Sequence, residues 1–158
     1  MANAGRPDDA IETLREWGRH ERISSDWIVI DQARVDLFAN ATEDRYWLHT
    51  DLVRAERESP YRGTIAHGFL LLSLTVGDDV ARITSLPGVA HVLNYGLDKV
   101  RFLAPVVVGA RVRVRSRLQS LVERRPGHWL LSQTRTVEVE GQTTVALVAE
   151  HLALVALA

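Results

Sequence analysis

The chain has 158 residues, 46% of them hydrophobic and 25% charged, with a formal net charge of −1. That is enough apolar material for one domain with its own core, and the near-neutral balance offers no general attraction to nucleic acid or anionic membrane. There are no cysteines, which excludes disulfides, thiolate nucleophiles and zinc–thiolate sites and fits a reducing cytoplasm.

The N-terminal stretch MANAGRPDDAIETLREWGRHE is polar, with no apolar run long enough for a signal peptide or a membrane span, so a cytoplasmic location is expected. Within it, residues 8–20 carry Ile11, Leu14 and Trp17 at a spacing of three, preceded by Asp8 and Asp9 as candidate caps. This reads as an amphipathic accessory helix (residues 1–22) packed on a single domain spanning 1–158. Residues 25–31 are rich in β-branched and aromatic side chains and predict the first strand. Asp31 is placed to cap a helix containing Val35, Phe38 and Ala39 that ends around Thr42.

Asp44 and His49 follow that helix. Their spacing puts them about 140° apart on a straight helix and on opposite faces of a strand, so only a turn can bring both to one site. Thr50 or Asp51 then caps a short helix through about Arg57, and 58–63 reads as a loop by its Pro and Gly.

The segment Gly68-Phe69-Leu70-Leu71-Leu72-Ser73-Leu74-Thr75-Val76 is apolar nearly all round and predicts a buried helix that fades near Arg82. The first N–H groups of such a helix can stabilise an oxyanion, and Gly68 leaves room for close approach. Helix–sheet packing explains the same glycine without a ligand.

Beyond residue 90 the period changes to two, with candidate strands at 91–103, 110–122, 129–140 and 143–157. One early strand, a buried helix and four long strands imply an α+β architecture, an antiparallel sheet of five strands wrapped around the helix. Its free edge predicts a homodimer. In 111–117 the arginines Arg111, Arg113, Arg115 and Arg117 share one face, to be balanced by Glu138 or Glu140 on the neighbouring strand. Some of them, with Lys99 or Arg101, are alternatively placed for phosphates.

These residues resemble the MaoC-like dehydratases, which include (R)-specific enoyl-CoA hydratases of the hot-dog fold. The matching blocks are Phe38 to Asp44, Leu48 to Asp51, Ser59 to Tyr61 and Ile65 to Leu70. A further block from Asn94 to Phe102, with Pro105, Val106 and Gly109, resembles the branch related to nodulation protein N. The resemblance implies that Asp44 and His49 flank the water added to an enoyl thioester and that the Gly68 N–H binds the thioester carbonyl. It also implies an acyl thioester of coenzyme A or acyl carrier protein as substrate, and no separate cofactor.

Many members carry an Asn-Pro pair between the aspartate and histidine, where this chain has Arg45-Tyr46-Trp47-Leu48. Some carry a serine two turns into the helix, where this chain has Val76 with Ser73 and Thr75 nearby. His67, Ser73, Asn94 and Arg101 are candidate supporting residues.

A carboxylate and two imidazoles from Asp44, His49 and His67 are a conceivable metal set, but the spacing matches no helical ligand motif and no metal is expected. A catalytically silent acyl-binding module and a hot-dog thioesterase are the competing readings.

Overall fold

The alternating second half of the chain forms one antiparallel sheet, and the apolar segment after Gly68 lies against it. The structure is a computed structural model that describes residues 7–158. In chain order its elements are α1 (Pro7–Trp17), β1 (Arg22–Ile23), β2 (Ile28–Val29), α2 (Gln32–Thr42), α3 (Trp47–Thr50), α4 (Leu52–Glu58), α5 (Gly68–Leu74), α6 (Gly77–Thr84), β3 (Val89–Phe102), β4 (Arg111–Arg125), β5 (His128–Val139) and β6 (Leu147–Leu157). The strands run β1-β4-β5-β6-β3, with β2 also on β4. This antiparallel sheet around a central helix is the hot-dog fold.

The four long strands fall close to their expected places. The early strand is shorter than expected: only Ile28 and Val29 pair, against Val112 and Arg111, and a second two-residue strand, Arg22–Ile23, pairs further along β4. The sheet therefore has six strands, not five. The two short strands share the β4 edge and leave β3 as the opposite edge.

Along β5 and β6 alternate residues are buried, and their register runs without a break from His128–Ala156 to Val137–Leu147. The buried face has three zones. At one end Val112, Val114, Val137, Val139, Leu147 and Ala149 pack on Leu70, Leu71 and Leu72 of α5. At the other, Leu131, Ala153 and Val155 pack on Ile11 and Leu14 of α1 and Ile83 of α6.

Between them lies a polar row: Ser116 opposite Arg135, and Gln133 opposite His151. All four are buried.

α5 crosses this row, and there the buried helix breaks. It was expected to run unbroken to about Arg82. Instead it stops at Leu74 and resumes as α6 at Gly77. Thr75 Oγ1 donates to Leu72 O at 2.7 Å, and Arg135 donates to the Thr75 carbonyl that the break leaves free. Asp79, one turn on, is also buried and stands 3.5 Å from Arg135 and 3.6 Å from Arg22. The polar row is thus neutralised from α6 and stapled to the helix break.

α1 packs on the sheet as an accessory helix, with Asp9 inside its first turn; Asp8's side chain lies outside the described residues. The helix ends at Trp17, and Gly18 after it packs closely on β4: a Cβ there would meet Leu118 at 2.5 Å. The arginine stripe is partnered as expected, Arg111 with Glu140 and both Arg113 and Arg115 with Glu138.

Candidate active site

Asp31 caps α2, its Oδ1 accepting from the Arg34 N–H at 2.8 Å, and the helix ends at Thr42 with Glu43 in the left-handed conformation (φ 61°). That residue turns the chain so that Asp44 leaves the helix end and the next five residues fold back. His49 then sits on the single turn α3. Asp51 caps α4 through Arg54 N–H, which fixes the chain beyond.

Gln32, in the first turn of α2, was not singled out from the sequence, yet it ties these parts together. Its Nε2 donates to His49 O at 2.8 Å and its Oε1 accepts from Thr64 Oγ1 at 2.6 Å. The extended segment 64–66 is fastened on its other side by Ala66 N–H to Val106 O and Val108 N–H to Thr64 O. His67 follows directly, at the N-cap position of α5 but without a side-chain bond to it.

The turn brings Asp44, His49 and His67 together, with one donor atom of each within 4.8 Å of the others. His49 Nδ1 lies 2.8 Å from Ile65 O, and His67 Nε2 lies 2.9 Å from the Asp44 carbonyl. A carbonyl can only accept, so both nitrogens carry a proton; in the neutral rings the lone pairs then lie on His49 Nε2 and His67 Nδ1.

The rings stack with centroids 3.9 Å apart. His67 is buried and its Nδ1 has no hydrogen-bond partner among the described residues. Burial lowers the His49 pKa, as does the neighbouring His67, against opposing effects from Ile65 O and Asp44. His49 is therefore held as a neutral imidazole near neutral pH, beside an exposed carboxylate. Two imidazole lone pairs and a carboxylate can hold a water, and they are the donor set a small divalent cation would use.

His49 and Gly68 line one cavity of about 260 Å³, with Leu71, Phe102, Pro105 and Val106 among its apolar walls. Gly68 is the first residue of α5, so its N–H has no partner within the helix. A Cβ on Gly68 would lie 2.8 Å from the Phe102 ring, so packing favours the glycine whether or not a ligand binds.

The other candidates lie elsewhere. Ser73 is exposed, donates to Phe69 O, and lines a different cavity with Asn94. Arg101 is exposed on β3 and donates to Val100 O.

Residues 18–146 match the MaoC like domain, and the chain belongs to that family. It is 45% identical over 128 residues to 3-hydroxyacyl-thioester dehydratase Z of Mycobacterium tuberculosis, covering 81% of this chain and 83% of that protein. It is 41% identical over 131 residues to nodulation protein N of Rhizobium leguminosarum bv. viciae, covering 83% and 81%. Among solved structures, the (R)-hydratase from A. caviae involved in PHA biosynthesis superposes with a TM-score of 0.66 at 26% identity, covering 84% of this chain and 95% of that one.

Proposed function

We propose that the protein catalyses the (R)-specific hydration of trans-2-enoyl thioesters and the reverse dehydration of (R)-3-hydroxyacyl thioesters, carried by coenzyme A or acyl carrier protein and without a cofactor. The observation that carries this reading is the cluster of Asp44, His49 and His67, of which His49 shares one small, mostly apolar cavity with Gly68 at the start of α5. Membership of a dehydratase family and similarity to a 3-hydroxyacyl-thioester dehydratase support it.

In this reading Asp44 and the neutral His49 hold one water between them, remove its proton and return a proton to the α-carbon. The Gly68 N–H donates to the thioester oxygen as enolate-like charge builds on it, a donor worth about 3 kcal/mol. The apolar walls exclude bulk water and strengthen these interactions. With all three groups on one side of the alkene, water and proton add from the same face.

We propose a homodimer as the working form, because the edge strand β3 presents Leu93, Tyr95 and Leu97 to solvent. Among the described residues no helix is long and apolar enough to cross a membrane. Chiral analysis of the product from crotonyl-CoA tests the reaction. The (R)-3-hydroxy thioester is expected, and an (S) alcohol or a free acid released by hydrolysis overturns it.

A further inference from the structure

His49 and Gly68 border the same cavity but stand on separate segments, and the two segments are anchored differently. The stretch before Gly68 is fastened by Ala66 N–H to Val106 O at 2.8 Å and by Val108 N–H to Thr64 O at 2.9 Å. α3, which carries His49, is a single turn of four residues. A helix that short has no stability of its own, and its last carbonyls lack partners within it. Its position is set by what holds it from outside.

Gln32 supplies much of that hold. Its Nε2 donates both protons, to Asp36 Oδ1 at 2.7 Å and to His49 O at 2.8 Å, and its Oε1 accepts from Thr64 Oγ1 at 2.6 Å. The amide cannot be turned over, because Oε1 would then face a carboxylate and a carbonyl, neither of which donates. Asp36, one turn along α2, thus fixes which way the amide points.

His49 Nδ1 donates to Ile65 O at 2.8 Å, and Ile65 N–H donates to Leu48 O at 3.1 Å. Ile65 follows Thr64 in the chain, so Gln32, His49, Ile65 and Thr64 close a ring of hydrogen bonds and backbone that ends three residues before Gly68. Removing the amide opens this ring. His49 O then loses its donor, and Thr64 Oγ1, on a residue only 4% exposed, loses its acceptor.

We propose that Gln32 is a positioning residue for the hydration: its amide sets the span between the His49 imidazole, which with Asp44 moves the protons, and the Gly68 N–H, which holds the thioester oxygen. The role in catalysis rests on the enoyl-thioester reading; the hold on His49 does not.

Gln32→Leu keeps much of the side chain's bulk and removes all three bonds. With crotonyl-CoA it is expected to lower kcat about tenfold, because a displacement of about 1 Å costs about 100-fold and the bond from His49 Nδ1 to Ile65 O keeps the shift below that. KM should stay nearly unchanged, since the segment before Gly68 keeps its bonds to Val106 and Val108 and only α3 shifts. An unchanged kcat, or a fall in kcat matched by a rise in KM, would overturn the inference.

Gln32→Glu separates positioning from a general loss of stability. An ionised carboxylate cannot donate to Asp36 Oδ1 or His49 O, whereas a protonated carboxyl donates one bond and accepts another. The Asp36 carboxylate beside it raises its pKa. The rate of Gln32→Glu relative to the unaltered protein should therefore rise severalfold from about pH 8 to about pH 5. A ratio that stays level or falls would overturn the inference.

Nitrogen NMR of the His49 imidazole, assigned by the signal missing from His49→Gln, reads the same geometry without turnover. At about pH 8 the unaltered protein should show a neutral ring protonated at Nδ1, and Gln32→Leu a mixture of the two tautomers. If the unaltered protein does not hydrate crotonyl-CoA, the reaction falls and this spectrum decides: a mixture keeps Gln32 as the holder of His49, and an unchanged ring removes it. Hydration that Gln32→Leu leaves untouched removes Gln32 and leaves the reaction standing. Thermal melts followed by circular dichroism report whether the variants fold. If Gln32→Leu does not, Gln32→Glu decides by its pH profile.

Discussion

The two ends of α5 each meet a histidine and an aspartate, and the surroundings give the two groups opposite character. At the N-terminal end the Asp44 carboxylate is exposed, His49 is half-buried, and both border open space. At the C-terminal end Asp79 and His151 are each 2% exposed, and Asp79 is matched to Arg135 and Arg22. Burial and Arg135 push the His151 pKa down to about 4, whereas His49 is lowered less because Ile65 O and Asp44 oppose the shift. Similar residue types thus make a group able to exchange protons at one end and a fixed structural staple at the other. The difference lies in solvent access and in what neutralises the charge.

Removing one member of the staple should have the largest effect. Arg135→Met leaves Asp79 buried with only Arg22 at 3.6 Å and frees the Thr75 carbonyl. It is expected to cost about 3–5 kcal/mol by chemical denaturation. Adding Asp79→Leu should recover most of that loss. If the double variant were no better than the single one, the buried charge would not be the cause.

The next largest effect is on pH dependence. A histidine whose folded pKa is below its unfolded value binds fewer protons when folded, so acid favours unfolding. Its stabilising contribution is complete above pH 6.5 and is lost as pH falls toward 4. Over that window His151 should account for about 3 kcal/mol, and His49 adds to the loss in the same direction. Denaturation curves at stepped pH should show a markedly flatter profile for His151→Leu. An unchanged slope would contradict the assignment.

At the other end the expected loss is in rate. Asp44→Asn and His49→Gln should each lower kcat for enoyl-thioester hydration by at least about 100-fold, the scale of a lost acid or base. The melting temperature should shift by only a few degrees. Near-native turnover in either variant would remove that residue from the reaction.

Gly68→Ala has the smallest expected effect, on the order of 1–3 kcal/mol from overpacking. Its Cβ would stand 2.8 Å from the Phe102 ring, which is partly exposed and able to give way. Adding Phe102→Ala should relieve part of that cost; a loss unchanged in the double variant would show that this contact is not responsible.

Features with local physical causes were legible in the sequence. The alternation in Arg111 to Arg117 gave the face of β4, and Glu138 of β5 and Glu140 just beyond it were its partners. Asp31 and Asp51 could be read as caps because a cap needs only the next three residues. The spacing of Asp44 and His49 required a turn, and Glu43 with α3 provides it. The expected strand over 25–31 shrank to Ile28 and Val29, and a second short strand, Arg22–Ile23, pairs further along β4.

Only the tertiary structure could decide the rest. The break after Leu74 is held by Arg135, which is 60 residues away in the chain, and the row of Ser116, Gln133, Arg135 and His151 exists only once β4, β5 and β6 are in register. Gln32 joins His49 to Thr64 across a gap of 32 residues, and Phe102 meets Gly68 from the far edge of the sheet. The sequence by itself determined the periods, the caps and the motif-bearing turn, because those depend on neighbours along the chain. Which polar side chains are buried, and what each of them meets there, depends on strand register, and no short window of sequence encodes that.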